Sequence, residues 1–220
     1  MLQFLRRSPG KEFWGWFEEH KDWLREGPEL ARVRNAERAS QALSERTGEL
    51  LRSLQRFDKR LTPLYWIAAD GVAELIVTAE GQTEAFDRVF DLISQAPQLE
   101  DWRFLALKPR QPLPETLAGE SVRLDCEALH YALQADGNGR AALLFLTEQA
   151  SDDNFIELQH LAMKLAEAIL GEEDMALNVG QVAMVSHGRF AVASPSTRIR
   201  PIECLIQEFD ERFRCFSSMN

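Results

Sequence analysis

At 220 residues the chain can bury its own core, and a net charge of −10 makes phosphate backbones and anionic lipid surfaces poor partners. A composition 45% hydrophobic and 27% charged is ordinarily globular and allows one large domain or two packed halves. Cys126, Cys204 and Cys215 make no C-x-x-C pair, which argues for reduced thiols and a cytoplasmic protein. The start of the chain is too short for a signal-peptide apolar region, and the longest apolar run, 141–146, falls far short of a membrane span.

Ser8-Pro9 pairs a helix N-cap with proline at the first helical position and predicts a helix over 9–26. Phe13, Trp16, Phe17 and His20 share one helical face. Trp14 lies off that stripe, so the helix is either clasped on two sides or exposes it. Gly27-Pro28 is expected to end it. From 28 to 60 the pattern is a long, basic, polar helix. Its Leu43, Thr47, Leu50, Leu54, Phe57 and Leu61 recur alternately four and three residues apart, an a/d seam. Against the chain's own sheet the seam is core; against a second copy it makes a homodimer. Monomer and homodimer both stay open. The expected arrangement is the first, with Arg46, Arg52, Arg56 and Lys59 facing solvent.

A phrase then occurs twice. Residues 64–71 read Leu-Tyr-Trp-Ile-Ala-Ala-Asp-Gly, and 129–137 read Leu-His-Tyr-Ala-Leu-Gln-Ala-Asp-Gly. Each runs into a second apolar stretch, 74–80 and 141–148, and each Asp-Gly is a hairpin signal. In the first copy an amphipathic helix follows over 82–96, with Phe86, Val89, Phe90 and Ile93 inward and Pro97 as its stop. A strand over 102–107 comes next. Residues 108–119 read as a crossover loop and internal boundary, and 122–126 as a short strand. In the second copy Ser151-Asp152-Asp153 caps a helix that buries Phe155, Leu158, Leu161, Ala162, Leu165 and Ile169 and stops at Gly171. A closing strand is expected over 175–186, loop over 188–197, and a last helix opened by Pro201 that buries Ile202, Leu205, Ile206, Phe209 and Phe213.

The expected fold class is α+β: N-terminal helices, then two hairpin-helix-strand units in mixed or antiparallel sheet, then a C-terminal helix. The segments are 1–61, packed on the rest, 62–110 and 111–220, making one compact domain.

Acyl-transfer chemistry needs a nucleophile, a base and an orienter. Cys126 and His130 are the nearest approach to such a pair, but four residues of extended chain span roughly 13 Å. A buried structural thiol is the expected role of Cys126. Nucleotide-binding and nucleophile-elbow motifs are missing, and Gly137-Asn138-Gly139 reads as a turn. Glu172-Glu173-Asp174 is the densest acidic group and is expected to be a solvated turn. The binding candidates are Trp14, Trp16 and Trp23, which either line a groove or anchor the core, together with His130, Glu172 and Glu173. No cofactor and no metal are expected.

The words Phe13-Trp14-Gly15-Trp16-Phe17, Glu74-Leu75-Ile76-Val77-Thr78-Ala79-Glu80-Gly81, Ala96-Pro97-Gln98-Leu99-Glu100-Asp101-Trp102, Ala106-Leu107-Lys108-Pro109-Arg110 and Ile169-Leu170-Gly171-Glu172 resemble a family of uncharacterised bacterial proteins. That family has an F-W-x-W-F opening, an SAxG strand end, an AP-x-L-x-x-W segment and an LGE element. The resemblance spans 13 to 174, with Thr78 where the family often has serine. It implies a small soluble bacterial protein and no activity.

Two functions follow. The expected one is a non-catalytic protein acting through protein–protein interaction, as an adaptor, inhibitor or immunity-type partner. Its support is the acidic surface, the missing catalytic constellation and the heptad helix. The alternative is a small-molecule-binding domain or hydrolase with its site between the repeated units. A protein partner is expected, and neither nucleic acid nor membrane.

Overall fold

The computed structural model describes residues 8–30, 36–193 and 197–214. Cys215, the first seven residues and positions 31–35 of the expected long helix lie outside them. The chain forms two compact units, Met1–Lys108 and Pro109–Asn220. It is an α+β protein with mixed sheets.

In the first unit, α1 (Pro9–Leu30) opens where Ser8 and Pro9 predict, with the Glu12 amide donating to the Ser8 carbonyl at 3.0 Å. It does not stop at Gly27-Pro28. A proline in the last turn forfeits only the bond to Leu24, four residues back. Gly27 has another task. A Cβ there would lie 2.8 Å from the Arg46 Cδ and 2.9 Å from the Tyr65 hydroxyl, so the glycine permits close approach rather than ending the helix.

The seam of α2 (Ala36–Phe57) buries Leu50 and Leu54 completely, against α1 and β1 (Thr62–Ile67) of the same chain. Arg46 is a correction to the expected solvent face: it is buried. Its Nε donates to the Trp23 carbonyl at 2.7 Å, and its guanidinium lies 4.9 Å from the centre of the Trp23 ring. Arginine can do this because its planar fork bonds at the edge while its face stacks.

β1 pairs antiparallel with β2 (Ala73–Thr78), which pairs parallel with β3 (Trp102–Ala106). Between β2 and β3 lie a 3-10 turn, Thr83–Ala85, and α3 (Phe86–Ser94). The helix buries Phe86, Val89 and Leu92, and leaves Phe90, expected inward, exposed. The Leu92 carbonyl accepts the Trp14 indole N–H at 2.8 Å, which turns that side of α3 inward. Trp14 therefore joins the core, edge-on to Phe104 at 4.7 Å between centroids. Trp102 is buried beside it.

In the second unit, β4 (Thr116–Ala118) and β5 (Arg123–Asp125) form a small antiparallel pair; β4 lies where loop was expected. The main sheet has the order β8 (Val179–Ser186), β7 (Ala141–Thr147), β6 (His130–Ala135), β9 (Arg200–Pro201). β7 pairs antiparallel with β6 and parallel with β8. Tyr131, Leu143, Phe145 and Met184 face one core with Leu158, Leu161, Leu165 and Ile169 of α4 (Phe155–Asn178). Gly171 breaks α4 with φ 76° and ψ 166°, as its position predicts. The helix then resumes, so β8 begins at Val179 rather than at 175. Residues expected as loop form α5 (His187–Ala193). A 3-10 turn, Ile202–Cys204, leads into α6 (Leu205–Arg212). Phe155 and Ile206, expected inward, are exposed; they fall just off the inward arcs set by Leu158–Leu165 and Leu205–Phe209.

Each unit thus contains an antiparallel hairpin, a helix and a strand returning parallel to the hairpin's second strand. The turns are also alike. Ala68 donates to the Val72 carbonyl at 2.9 Å around loop 69–71, and Asp136 donates to the Arg140 carbonyl at 2.7 Å around loop 137–139. Gly71 and Gly139 close them in the left-handed region, with φ 84° and 79°. Gly71 therefore corresponds to Gly139, not to Gly137 as the repeated phrase suggests. Displacement by two residues keeps every side chain on its face, because strand side chains alternate with a period of two.

Candidate functional site

The sequence candidates divide between the two units. Trp14, Trp16 and Trp23 belong to the first unit; His130, Glu172 and Glu173 belong to the second. Trp16 and Trp23 are half-buried with His20 between them, and the Trp16 and His20 rings stack at 4.5 Å. The His20 Nδ1 lies 2.7 Å from the Trp16 carbonyl, so the ladder is held along its own helix.

The acidic run after Gly171 is not a solvated turn. Glu172 is only 2% exposed and Asp174 is buried, whereas Glu173 is exposed. Arg110 explains Asp174: its Nη2 donates to Asp174 and to Asp210, each at 2.6 Å. Its Nε donates to the Leu170 carbonyl at 3.1 Å, capping the first part of α4 at the break. A second carboxylate, Glu208 on α6, accepts from Tyr131 at 2.6 Å, Arg200 at 3.0 Å and Arg212 at 2.6 Å. Burial alone would raise its pKa, but these bonds outweigh burial and lower it. The Tyr131 hydroxyl is pushed up, by burial first and then by its bond to that carboxylate. Both clusters tie elements together and are fully committed.

The chemistry-bearing groups of the second unit meet instead at the carboxyl ends of the parallel strands β7 and β8, where open α/β sheets commonly place ligands. His187 follows β8, Glu148 follows β7, and His130 lies opposite Leu146 on β6. The His130 and His187 rings are 5.4 Å apart, and the His187 Nδ1 is 3.3 Å from Glu148. This is an orienter and a base, but among the described residues no hydroxyl or thiol is hydrogen-bonded to either ring. Cys126 does not serve. It lies in the core, on the sheet face opposite His130, and burial raises its pKa away from the reactive thiolate. Among the described residues no group of three His, Cys, Asp or Glu could hold a metal ion.

Beside this cluster is a groove of about 340 Å³ lined by Ala150, Ser151, Asp152, Phe155, Val185, Arg189 and Phe190. Phe155 carries the lining onto the first turn of α4 and is 53% exposed; farther round and along the same helix, Ile156 and Met163 are 70% and 49% exposed. Ile156 and Met163 are seven residues apart on one helical face. The signal for this patch was readable: two apolar side chains at helical spacing off the buried stripe of an amphipathic helix. The first unit has its own groove of about 550 Å³ lined by Ile93, Ala96, Pro97, Gln98, Leu99, Glu100, Trp102 and Phe104. Among the described residues the buried Trp102 indole N–H has no acceptor.

Comparison with protein-family models, curated proteins and solved structures gives no match. Among the described residues no helix is long and apolar enough to cross a membrane.

Proposed function

We propose that the protein acts through protein–protein interaction, and that its docking surface is the start of α4 with the adjoining groove. The observation that carries this reading is the exposure of Phe155, Ile156 and Met163 beside a groove walled by Val185 and Phe190. Apolar side chains grouped on one helix face, next to a concavity, are what a partner's anchor residues need. The helix beneath is rigid, because its inner stripe, Leu158, Leu161 and Leu165, is core. Photo-crosslinking tests the proposal. A crosslinker at position 156 of the full chain, in the producing cell, is expected to label one discrete partner, and Met163→Asp should abolish the labelling. Labelling no greater than from exposed Lys59 would overturn the reading.

A second reading is a small-molecule site in the first-unit groove, whose volume lies in the range of ligand pockets. The unsatisfied Trp102 indole N–H favours it, since a buried donor without an acceptor is costly. Thermal-shift screening of the full chain with Trp102→Phe alongside tests it. A hit that stabilises both proteins equally would argue against use of the indole.

A further inference from the structure

We infer that the occupant of the α4 surface is a cationic amphipathic helix on a partner protein. This rests on the docking reading above and specifies the partner's chemistry. The apolar part is set by Ile156 and Met163, separated by two helical turns, with the groove of Phe155, Val185 and Phe190 at one end. A helix laid along α4 would seat one large apolar residue in the groove and others over Ile156 and Met163. The charge comes from the same end. Glu148, Asp152 and Asp153 are all exposed, with Glu148 78% and Asp152 86% exposed at the side chain.

The positive charges present do not cancel this. Arg189 pairs with Asp152 at 2.8 Å, and Lys164 stands at the opposite end, beyond Met163. His187 touches Glu148, and His160 lies between Ile156 and Met163. Glu157, next to Ile156 in sequence, is tied to 121–122: it accepts the Ser121 hydroxyl and the Ser121 and Val122 amides, the amides at 2.8 and 3.2 Å, and these bonds lower its pKa and keep it ionised. The groove end is therefore net negative, on a chain of net charge −10. Such a surface steers and orients a positively charged helix and repels an acidic one. The cationic end of the partner helix lies toward the start of α4.

The test uses the full chain and two fluorescent peptides of about 18 residues, long enough to cover the two turns between Ile156 and Met163. Both carry the same leucine face; one has lysine on its polar face, the other glutamate. Anisotropy is read at low and at physiological salt. The lysine peptide is expected to bind at least tenfold tighter, and Ile156→Asp to weaken it at least tenfold. Asp152→Asn with Asp153→Asn should reduce its advantage several-fold, and salt should do the same. These side chains are exposed, so circular dichroism should be unchanged. Equal binding of the two peptides would overturn the charge assignment and leave the docking reading standing. Binding of neither would overturn the inference, and crosslinking from position 156 would then judge the docking reading separately. Loss of Ile156-dependent binding to peptides but gain of binding to neutral lipid vesicles would make the patch a membrane contact and likewise overturn it.

Discussion

Replacing Arg110 with methionine keeps an unbranched, apolar stem and removes the guanidinium fork. Four hydrogen bonds are lost together: to the Leu170 carbonyl, to Asp174 and twice to Asp210. Their costs are unequal, because the acceptors differ in exposure. The Asp174 side chain is 10% exposed and, among the described residues, keeps only Asn178 at 2.9 Å and a distant Arg214 at 3.9 Å. Leaving so buried a carboxylate undercompensated costs about 2–3 kcal/mol. The helix-end carbonyl of Leu170 adds about 1 kcal/mol. Asp210, 35% exposed, rehydrates at a cost well under about 1 kcal/mol. The expected loss is therefore about 3–4 kcal/mol. With a urea slope of about 2 kcal/mol per molar, the unfolding midpoint falls by about 1.5–2 M. Circular dichroism at the helix band reports both units, because α1–α3 lie in the first and α4–α6 in the second, so the second unit's transition is the part of the dichroism change that fluorescence does not follow. Tryptophan fluorescence isolates the first, because Trp14, Trp16, Trp23, Trp66 and Trp102 all precede the boundary at Lys108. Asp210→Asn serves as the mild comparison, at well under about 1 kcal/mol. If Arg110→Met moved the dichroism midpoint by less than about 0.5 M, or no more than Asp210→Asn, acceptor burial would not be what makes this cluster matter.

Three further outcomes are expected. Leu50→Glu puts a charge into the fully buried contact of α2 with α1 and β1, so the first unit should unfold; a folded protein that merely changes from dimer to monomer in light scattering would show the seam to be intermolecular. Gly71→Ala and Gly139→Ala should each lower stability by about 1 kcal/mol, since both turns need φ near +80°, and Gly137→Ala should be milder; equal effects in urea titrations would contradict the two-residue correspondence of the hairpins. Hydrogen bonds from Arg60 hold the Asp58 carboxyl down to about 2, against an ordinary 3.8. A depressed acid stabilises the fold above its unfolded pKa and loses that contribution as pH falls through its folded one. The part of acid destabilisation lying between about pH 4 and pH 2 should therefore shrink in Asp58→Asn, as followed by tryptophan fluorescence at fixed urea.

The local pattern of the chain was enough for most elements. Proline at the first position started α1, the paired apolar runs made the two hairpins, and four- and three-residue spacing marked the buried side of α2 and most of α4. These features depend on neighbours within about seven residues, so spacing encodes them directly. Where a second element intervenes, spacing stops being decisive. Gly27 read as a helix stop and proved to be clearance for Arg46 and Tyr65. Arg46 read as a surface charge and was drawn inward by the Trp23 ring and carbonyl. Glu172 and Asp174 read as a solvated turn, yet both are buried, and the Arg110 that pairs with Asp174 also pairs with Asp210, a hundred positions from it in sequence. The candidate surface divides in the same way. That α4 carries Ile156 and Met163 off its buried stripe is a fact of sequence. That the helix carrying them opens with Phe155 in a groove, because α5 brings Phe190 to the end of β8 beside it, is decided by the fold, since no local spacing relates residues brought together only by strand pairing.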